Sequence, residues 1–317
     1  MSEYTAHDHQ DEGITRKGFL KGTALAGAGV VAALVGGKVT TMAVADALHP
    51  HAANATADFS FVQITDTHIG AHSPANRNVI ATFEEAVRRI NALPQRPAFV
   101  IHTGDHVHLS KVSEFDTARQ ILGTIKADRI FNVPGEHDVF LDQGKRYRQY
   151  FGQGTRGSGY LSFDLKGVHF LGLANDAGFV GKGQGVLGAE QLAFVKKDLA
   201  RLPSDTPLVL FSHVPLLPVY LPWGWATSDG AALLALVKRF HAVTALNGHI
   251  HQILTRTVGN VVMHTADSTA YPLHPPGQVA PAPLVLPAAQ LPKRIGIRAA
   301  RFAAGTATPS YKDETLG

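Results

Sequence analysis

The chain of 317 residues contains no cysteine. That absence excludes a disulfide scaffold and any thiolate metal site. Charged residues are sparse, at 17%, and no stretch gathers five or six lysines and arginines together. With 29 basic against 25 acidic residues the net charge is +4, and nothing marks a nucleic-acid binder. The sequence has no G-x-S-x-G nucleophile elbow, no Walker-type loop and no H-E-x-x-H. Gly183-Gln184-Gly185-Val186-Leu187-Gly188 spells G-x-G-x-x-G, but no strand with a ribose-binding acid follows about 20 residues on, so a dinucleotide fold is excluded. What is plentiful is apolar residues, at 45%, and histidine, at 17 residues. The first suits a globular protein with a large core. The second supplies the commonest metal ligand, whose side chain titrates nearest neutral pH.

Residues 1–45 read apart from the rest. Arg16 and Lys17 precede Phe19, Leu20 and Lys21, a Gly/Ala/Val run follows, and Ala43-Val44-Ala45 offers a small-residue cleavage site. The stretch resembles a twin-arginine export signal with Lys17 at the second arginine. Its apolar run is too short and too rich in glycine and alanine for a stable membrane span, so an uncleaved anchor is the less favoured reading. The segment holds four basic residues (Arg16, Lys17, Lys21, Lys38) and four acidic ones (Glu3, Asp8, Asp11, Glu12), so the remainder keeps the charge of +4. A periplasmic or extracellular location with transient contact with the export machinery is expected. Such export carries folded proteins, so a metal acquired in the cytoplasm fits the route. Residues 46–57 read as a linker.

From residue 58 the pattern alternates as α/β. Strands are expected at 59–65, 97–103 and 128–134, with helices at 75–93 and 113–125 between them. Val79, Phe83, Val87 and Ile90 share one face of the first helix, and Ser113 is the expected N-cap of the second. A hairpin turning at Lys166-Gly167 is expected over 159–175, then a helix (188–202), a strand (207–213), a helix (230–240) and a strand (242–249). A second hairpin turns at Gly259-Asn260 within 252–267. The metal-ligand domain would span 58–270. Residues 272–293 carry seven prolines and no periodicity, so an irregular surface crossing and a tail packed on the same domain are expected over 271–317. Added antiparallel strands on an α/β beginning suggest two sheets flanked by helices.

Each of five expected strands ends in residues of metal-ligand type: Asp66-Thr67-His68, Gly104-Asp105, Gly135-Glu136-His137-Asp138, Ser212-His213 and Gly248-His249-Ile250-His251. Any one alone is an ordinary turn. Five in series are another matter, because sites on parallel α/β sheets form outside the carboxyl ends of the strands.

In that order the motifs resemble the calcineurin-like metallophosphoesterases, in finer detail the branch with bacterial cyclic-nucleotide phosphodiesterases, from about Phe59 to His264. The resemblance implies a four-layer α/β/β/α sandwich of two mixed sheets flanked by helices. It also implies two divalent or trivalent metal ions (Fe, Mn or Zn) sharing a bridging hydroxide. Asp66, His68, Asp105 and His251 would hold the first ion; Asp105, Glu136, His213 and His249 the second, with Asp105 the bridge. The family usually has asparagine at Glu136, which here either ligates with an added negative charge or swings away. By the same resemblance His137 serves as leaving-group acid, oriented by Asp138. The implied reaction is phosphoester hydrolysis on a small substrate, a phosphodiester before a monoester, with a non-catalytic binding module as the rival. His108 stands where purple acid phosphatases carry a metal-binding tyrosine, which argues against that charge-transfer site. His106 and His108 either line the pocket or sit on a surface loop, and Asn175 ends a strand near it. Tyr220, Trp223 and Trp225 either rim the crevice or form a lid on its own core.

Overall fold

The structure, a computed structural model, describes residues 54–176, 184–277 and 281–317 and the backbone of two strands before them. Two compact units divide the chain, Met1–Leu48 and His49–Gly317. In the first, β1 (Val31–Val35) pairs antiparallel with β2 (Lys38–Met42). The basic motif at 16–21 and the small-residue site at 43–45 lie outside the described residues. Among the described residues no helix is long and apolar enough to cross a membrane.

The second unit is built on β3 (Phe59–Ile64), β4 (Phe99–Thr103), β5 (Ile130–Val133), β6 (Leu161–Leu165), β7 (Val168–Leu173), β8 (Gln184–Gly185), β9 (Leu208–Ser212), β10 (Ala226–Thr227), β11 (Val243–Asn247), β12 (Thr255–Val258), β13 (Val261–Thr265), β14 (Gly296–Phe302) and β15 (Ser310–Thr315). One sheet runs β15-β14-β3-β4-β5 and the other β12-β13-β11-β9-β7-β6, with β8 and β10 pairing separately. In the first, β3, β4 and β5 are parallel while β14 and β15 are antiparallel additions. In the second, β7, β9, β11 and β13 are parallel, edged by antiparallel β6 and β12. Both expected hairpins form, and the first turns on left-handed Lys166 (φ 47) and Gly167 (φ 83).

Period-two patterning assigns each strand's two faces. Phe59, Phe61, Phe99 and Ile101 point between the sheets, where they meet Phe170, Val209, Phe211 and Leu246. Val62, Ile64 and Val100 point the other way, under the helices Val79–Asn91, Val112–Leu122 and Lys145–Phe151. On the second sheet, Leu208, Leu210, Val243 and Ala245 take the helices Gly188–Leu199 and Gly230–Val237. The result is helix, sheet, sheet, helix. Val79, Phe83, Val87 and Ile90 are all buried on the first helix.

Some details differ from the sequence reading. The second helix starts at Val112 with Lys111 as its cap, not Ser113; the Glu114 carboxylate takes the backbone N–H groups of Leu109 (2.8 Å) and Lys111 (3.3 Å) and so fixes the cap two residues earlier. A single helical turn, Glu136–Val139, and the helix Lys145–Phe151 follow β5 where no helix was expected. The tail contributes β14, which pairs with β3 in the first sheet.

The phenylalanines between the sheets pack on one another: Phe170 meets Phe61 (5.8 Å) and Phe99 (5.1 Å) edge-on and stacks on Phe163 at 4.8 Å. Phe170→Ala is therefore expected to cost about 3–5 kcal/mol of stability, measured by chemical denaturation of the folded chain.

Candidate metal centre

The parallel strands of both sheets deliver their carboxyl ends to one edge. Ile64 leads to Asp66 and His68, Thr103 to Asp105, Val133 to Glu136, Ser212 to His213, and Asn247 to His249 and His251. Gln63 Nε2 donates to the Asn247 carbonyl (3.2 Å) and so ties the two sheets together just beneath that edge.

The turns that aim the side chains inward are strained. Of the eight non-glycine residues with positive φ among the described residues, five are Asp66 (53°), His68 (43°), Asp105 (57°), His249 (67°) and His251 (52°). Backbone of this kind costs on the order of 1–3 kcal/mol per residue and persists where its surroundings over-determine it. Here they do. Asp66 N–H donates to Gly104 O (3.0 Å), His68 N–H to Asp105 O (3.0 Å) and Gly248 N–H to His213 O (3.0 Å). Close approach also requires glycine at 135, where a Cβ would overlap the Asp105 carboxylate.

All seven expected ligands meet, and their distances divide them into two sets. In one, His251 Nε2 lies 3.0 Å from Asp66 Oδ1 and 3.2 Å from His68 Nε2. In the other, Glu136 places Oε2 2.8 Å from His213 Nε2 and Oε1 2.9 Å from His249 Nδ1. Asp105 Oδ2 stands between them, 3.6 Å from His68 Nε2 and 3.2 Å from His213 Nε2. Glu136 is thus turned into the centre rather than away from it.

Each aspartate has one oxygen anchored and one facing the cluster. Asp66 Oδ2 accepts from Thr65 Oγ1 (2.5 Å) and His249 N–H (3.1 Å), and Asp105 Oδ1 accepts from His137 N–H (2.9 Å). Backbone carbonyls set the histidines: His213 Nδ1 donates to Thr103 O and His251 Nδ1 to Tyr271 O, both at 2.7 Å. A carbonyl only accepts, so the proton sits on Nδ1 and the neutral ring offers its Nε2 lone pair to the centre.

The donor set fits cations. His249 Nε2 is buried without a hydrogen-bond partner, and His213 Nε2 and Glu136 Oε2, though 2.8 Å apart, do not meet in hydrogen-bond geometry. Among the described residues the three carboxylates pair only with histidines. Burial opposes ionisation of Asp66 and Glu136, yet the neighbouring His251 and His213, and His249 and His213, hold them below the usual carboxylate range. Asp105 is pushed up, by burial and by the charge of Glu136. His213 is held well above the ordinary imidazole range despite its burial, by Asp105, Glu136 and Asp66. Protons here stand in for missing positive charge, and metal ions would displace them.

His137 presents its ring beside this centre, 4.8 Å from that of His68 and stacked at 4.8 Å on His108. Asp138 does not orient it, contrary to the sequence reading. The short helical turn directs Asp138 backwards, where it takes His106 Nδ1 (2.9 Å), Val107 N–H (3.0 Å) and Gly135 N–H (3.0 Å). The His108 carbonyl holds His137 Nδ1 instead, at 2.6 Å. Asp138 braces the two loops that carry Asp105 and Glu136. His106 is fully buried between Asp138 and Asn132, so it neither lines the pocket nor lies on a surface loop. Half-buried His108 touches the centre through His68 (3.4 Å). Asn175 is buried and clamps the segment after His213, accepting from Val214 N–H (3.2 Å) and donating to Val214 O (2.6 Å). Tyr271 was missed: its ring stacks 5.1 Å from that of His68, and its carbonyl fixes His251. A backbone acceptor leaves no mark in a sequence.

Metal analysis of purified protein checks this geometry. Asp105→Ala, which removes the carboxylate between the two donor sets, is expected to lower metal content more than His251→Ala, and Gly135→Ala to lower it while circular dichroism keeps the native signal.

Both the sequence and the fold have counterparts among known proteins. A family profile described as calcineurin-like phosphoesterase matches residues 59–253. The chain is 27% identical over 221 residues to the glycerophosphodiester phosphodiesterase GpdQ of Enterobacter lignolyticus, covering 66% of this chain and 76% of that protein. It is 32% identical over 167 residues to a probable cyclic nucleotide phosphodiesterase of Rhodopseudomonas palustris, covering 49% of this chain and 57% of the other. A dimetal phosphatase from Danio rerio shares the fold, with a TM-score of 0.62 at 14% identity over 82% of this chain and 96% of that one. With the profile spanning more than half its length, all five motif clusters inside that span, and the four-layer architecture around them, the chain belongs to the calcineurin-like phosphoesterase family, hydrolases of phosphoric esters.

Proposed function

We propose that this protein hydrolyses phosphodiesters at a two-metal centre held by Asp66, His68, Asp105 and His251 on one side and Asp105, Glu136, His213 and His249 on the other. The observation that carries the reading is the division of seven donors, six of them buried and Glu136 partly so, into two sets that share one outward oxygen of Asp105. Mixed nitrogen and oxygen donors suit Fe, Mn or Zn, which when bound would neutralise the phosphate charge and activate water for attack at phosphorus.

The chain's own residues do the rest. Asp105 and Asp66 hold fixed carboxylate angles because each has one oxygen anchored from the backbone or a hydroxyl. His137 donates the proton to the departing alkoxide. With Nδ1 already given to the His108 carbonyl, a proton on Nε2 requires the charged ring. Without metal, burial opposes that charge, while Asp105 and Glu136 raise the His137 pKa above its ordinary value. Relatives named for glycerophosphodiester and cyclic nucleotide phosphodiester cleavage support the diester over the monoester. We further propose, on the pattern of residues 16–45 alone, that the protein is exported; cell fractionation of the full-length chain checks this.

His137→Asn is expected to lower kcat by roughly 10²–10⁴-fold on a glycerophosphodiester, whose leaving alkoxide needs the proton, the usual range for a lost general acid, with metal content retained. Metal lost together with turnover would make His137 a ligand. Wild-type protein is expected to cleave the aryl diester well ahead of the aryl monoester; the reverse order would make it a phosphomonoesterase, and cleavage of neither by metal-loaded protein a binding module.

A further inference from the structure

The loop after His213 is a rigid aromatic ladder that ends on a residue of the metal centre. Trp225 lies 4.7 Å, ring to ring, from His249; Trp223 lies 5.1 Å from Trp225, and Tyr220 meets Trp223 edge-on at 5.5 Å. Both tryptophans are only partly buried, whereas the neighbouring Leu221 is 70% exposed. Trp225 packs on the apolar cluster beneath the first sheet's helices, so the inner rung is anchored. The loop is pinned at both ends. Asn175 holds Val214 and, through Nδ2, Thr227 Oγ1 (2.7 Å), while Thr227 N–H returns to Pro215 O (2.8 Å). Between them a 3-10 turn, Leu221–Trp223, closes on left-handed Gly224 (φ 69). Arg256 holds the Pro218 carbonyl. A loop fixed in this way presents its indoles without an ordering cost when a ligand arrives.

Resting on the phosphodiesterase reading above, we infer that Trp223 and Trp225 form a stacking platform that selects diesters whose organic group is a flat aromatic ring, a nucleobase or an aryl group, over those bearing a small polyol. A phosphate seated at the centre beside His249 would have its ester group within reach of Trp225, and Trp223 continues the aromatic surface from there. Indole faces attract π-faces and gain little from a hydrated polyol.

The test compares kcat/KM of metal-loaded protein on a nucleoside cyclic diester and on a glycerophosphodiester. Wild type is expected to favour the nucleoside, and Trp223→Ala to lower that preference by roughly five- to a hundredfold, the span of one lost base–aromatic stack. Trp223→Phe is expected to keep most of it. Metal content is measured alongside, to separate loss of the platform from disturbance of the centre. Unchanged preference, or an equal fall on both substrates, overturns the proposal. Failure of the wild type to cleave either diester overturns the phosphodiesterase reading instead. A binding measurement then still decides the platform, because the chain's two tryptophans are both on the ladder and all indole emission reports it. Adenosine monophosphate is expected to quench that emission and to bind at least about fivefold tighter than glycerol phosphate; equal affinities refute the platform.

Discussion

The structure is organised around one electrostatic problem: three carboxylates and four imidazoles stand within a few ångströms of one another at a buried edge between two sheets. Among the described residues no lysine or arginine pairs with them, and six of the seven are buried. Acids and bases pair among themselves, which leaves Asp105 and His213 with opposed demands on the same proton. Such a cluster is costly unless positive charge is supplied, and supplying it converts a liability of folding into a reason for binding metal.

The sandwich makes that cluster possible because it brings the ends of parallel strands from two separate sheets to the same place. Neither sheet owns the site. The first gives Asp66, His68, Asp105 and Glu136, the second His213, His249 and His251, and the Gln63–Asn247 hydrogen bond registers them. Left-handed backbone at five of these positions turns side chains inward in the space of one residue, and carbonyls of Thr103 and Tyr271 choose which ring nitrogen faces the centre.

Much of this was legible in the letters. Strands that are buried on both faces read as apolar runs, and the motifs at their ends kept the order Asp-x-His, Gly-Asp, Gly-Glu-His-Asp, His, Gly-His-x-His. Residue type and topology together located the seven donors. What did not show was whatever depends on direction rather than identity. Asp138 follows His137 in sequence, so the two invite pairing. Both lie on a single helical turn, which points consecutive side chains to different sides and sends the carboxylate to His106 and the 104–107 loop. Tyr271 begins a proline-rich stretch with no periodicity, and its contribution is a stacked ring and a carbonyl. β14 was hidden because its small and charged residues, Gly296-Ile297-Arg298-Ala299-Ala300-Arg301-Phe302, mute the strand signal; Arg298 is buried, paired with Asp313 of β15.

β14 also sets an order of events. It fills the place beside β3, the strand that leads to Asp66 and His68, and adds Ala300 and Phe302 to the layer between the sheets. During synthesis β3 emerges early, with one flank unpaired until residues 296–302 leave the ribosome. For most of translation the nascent chain therefore carries an open, aromatic-rich strand edge, the kind of surface that chaperones cover and that neighbouring chains join. The first half of the metal centre is born long before the strand that steadies it.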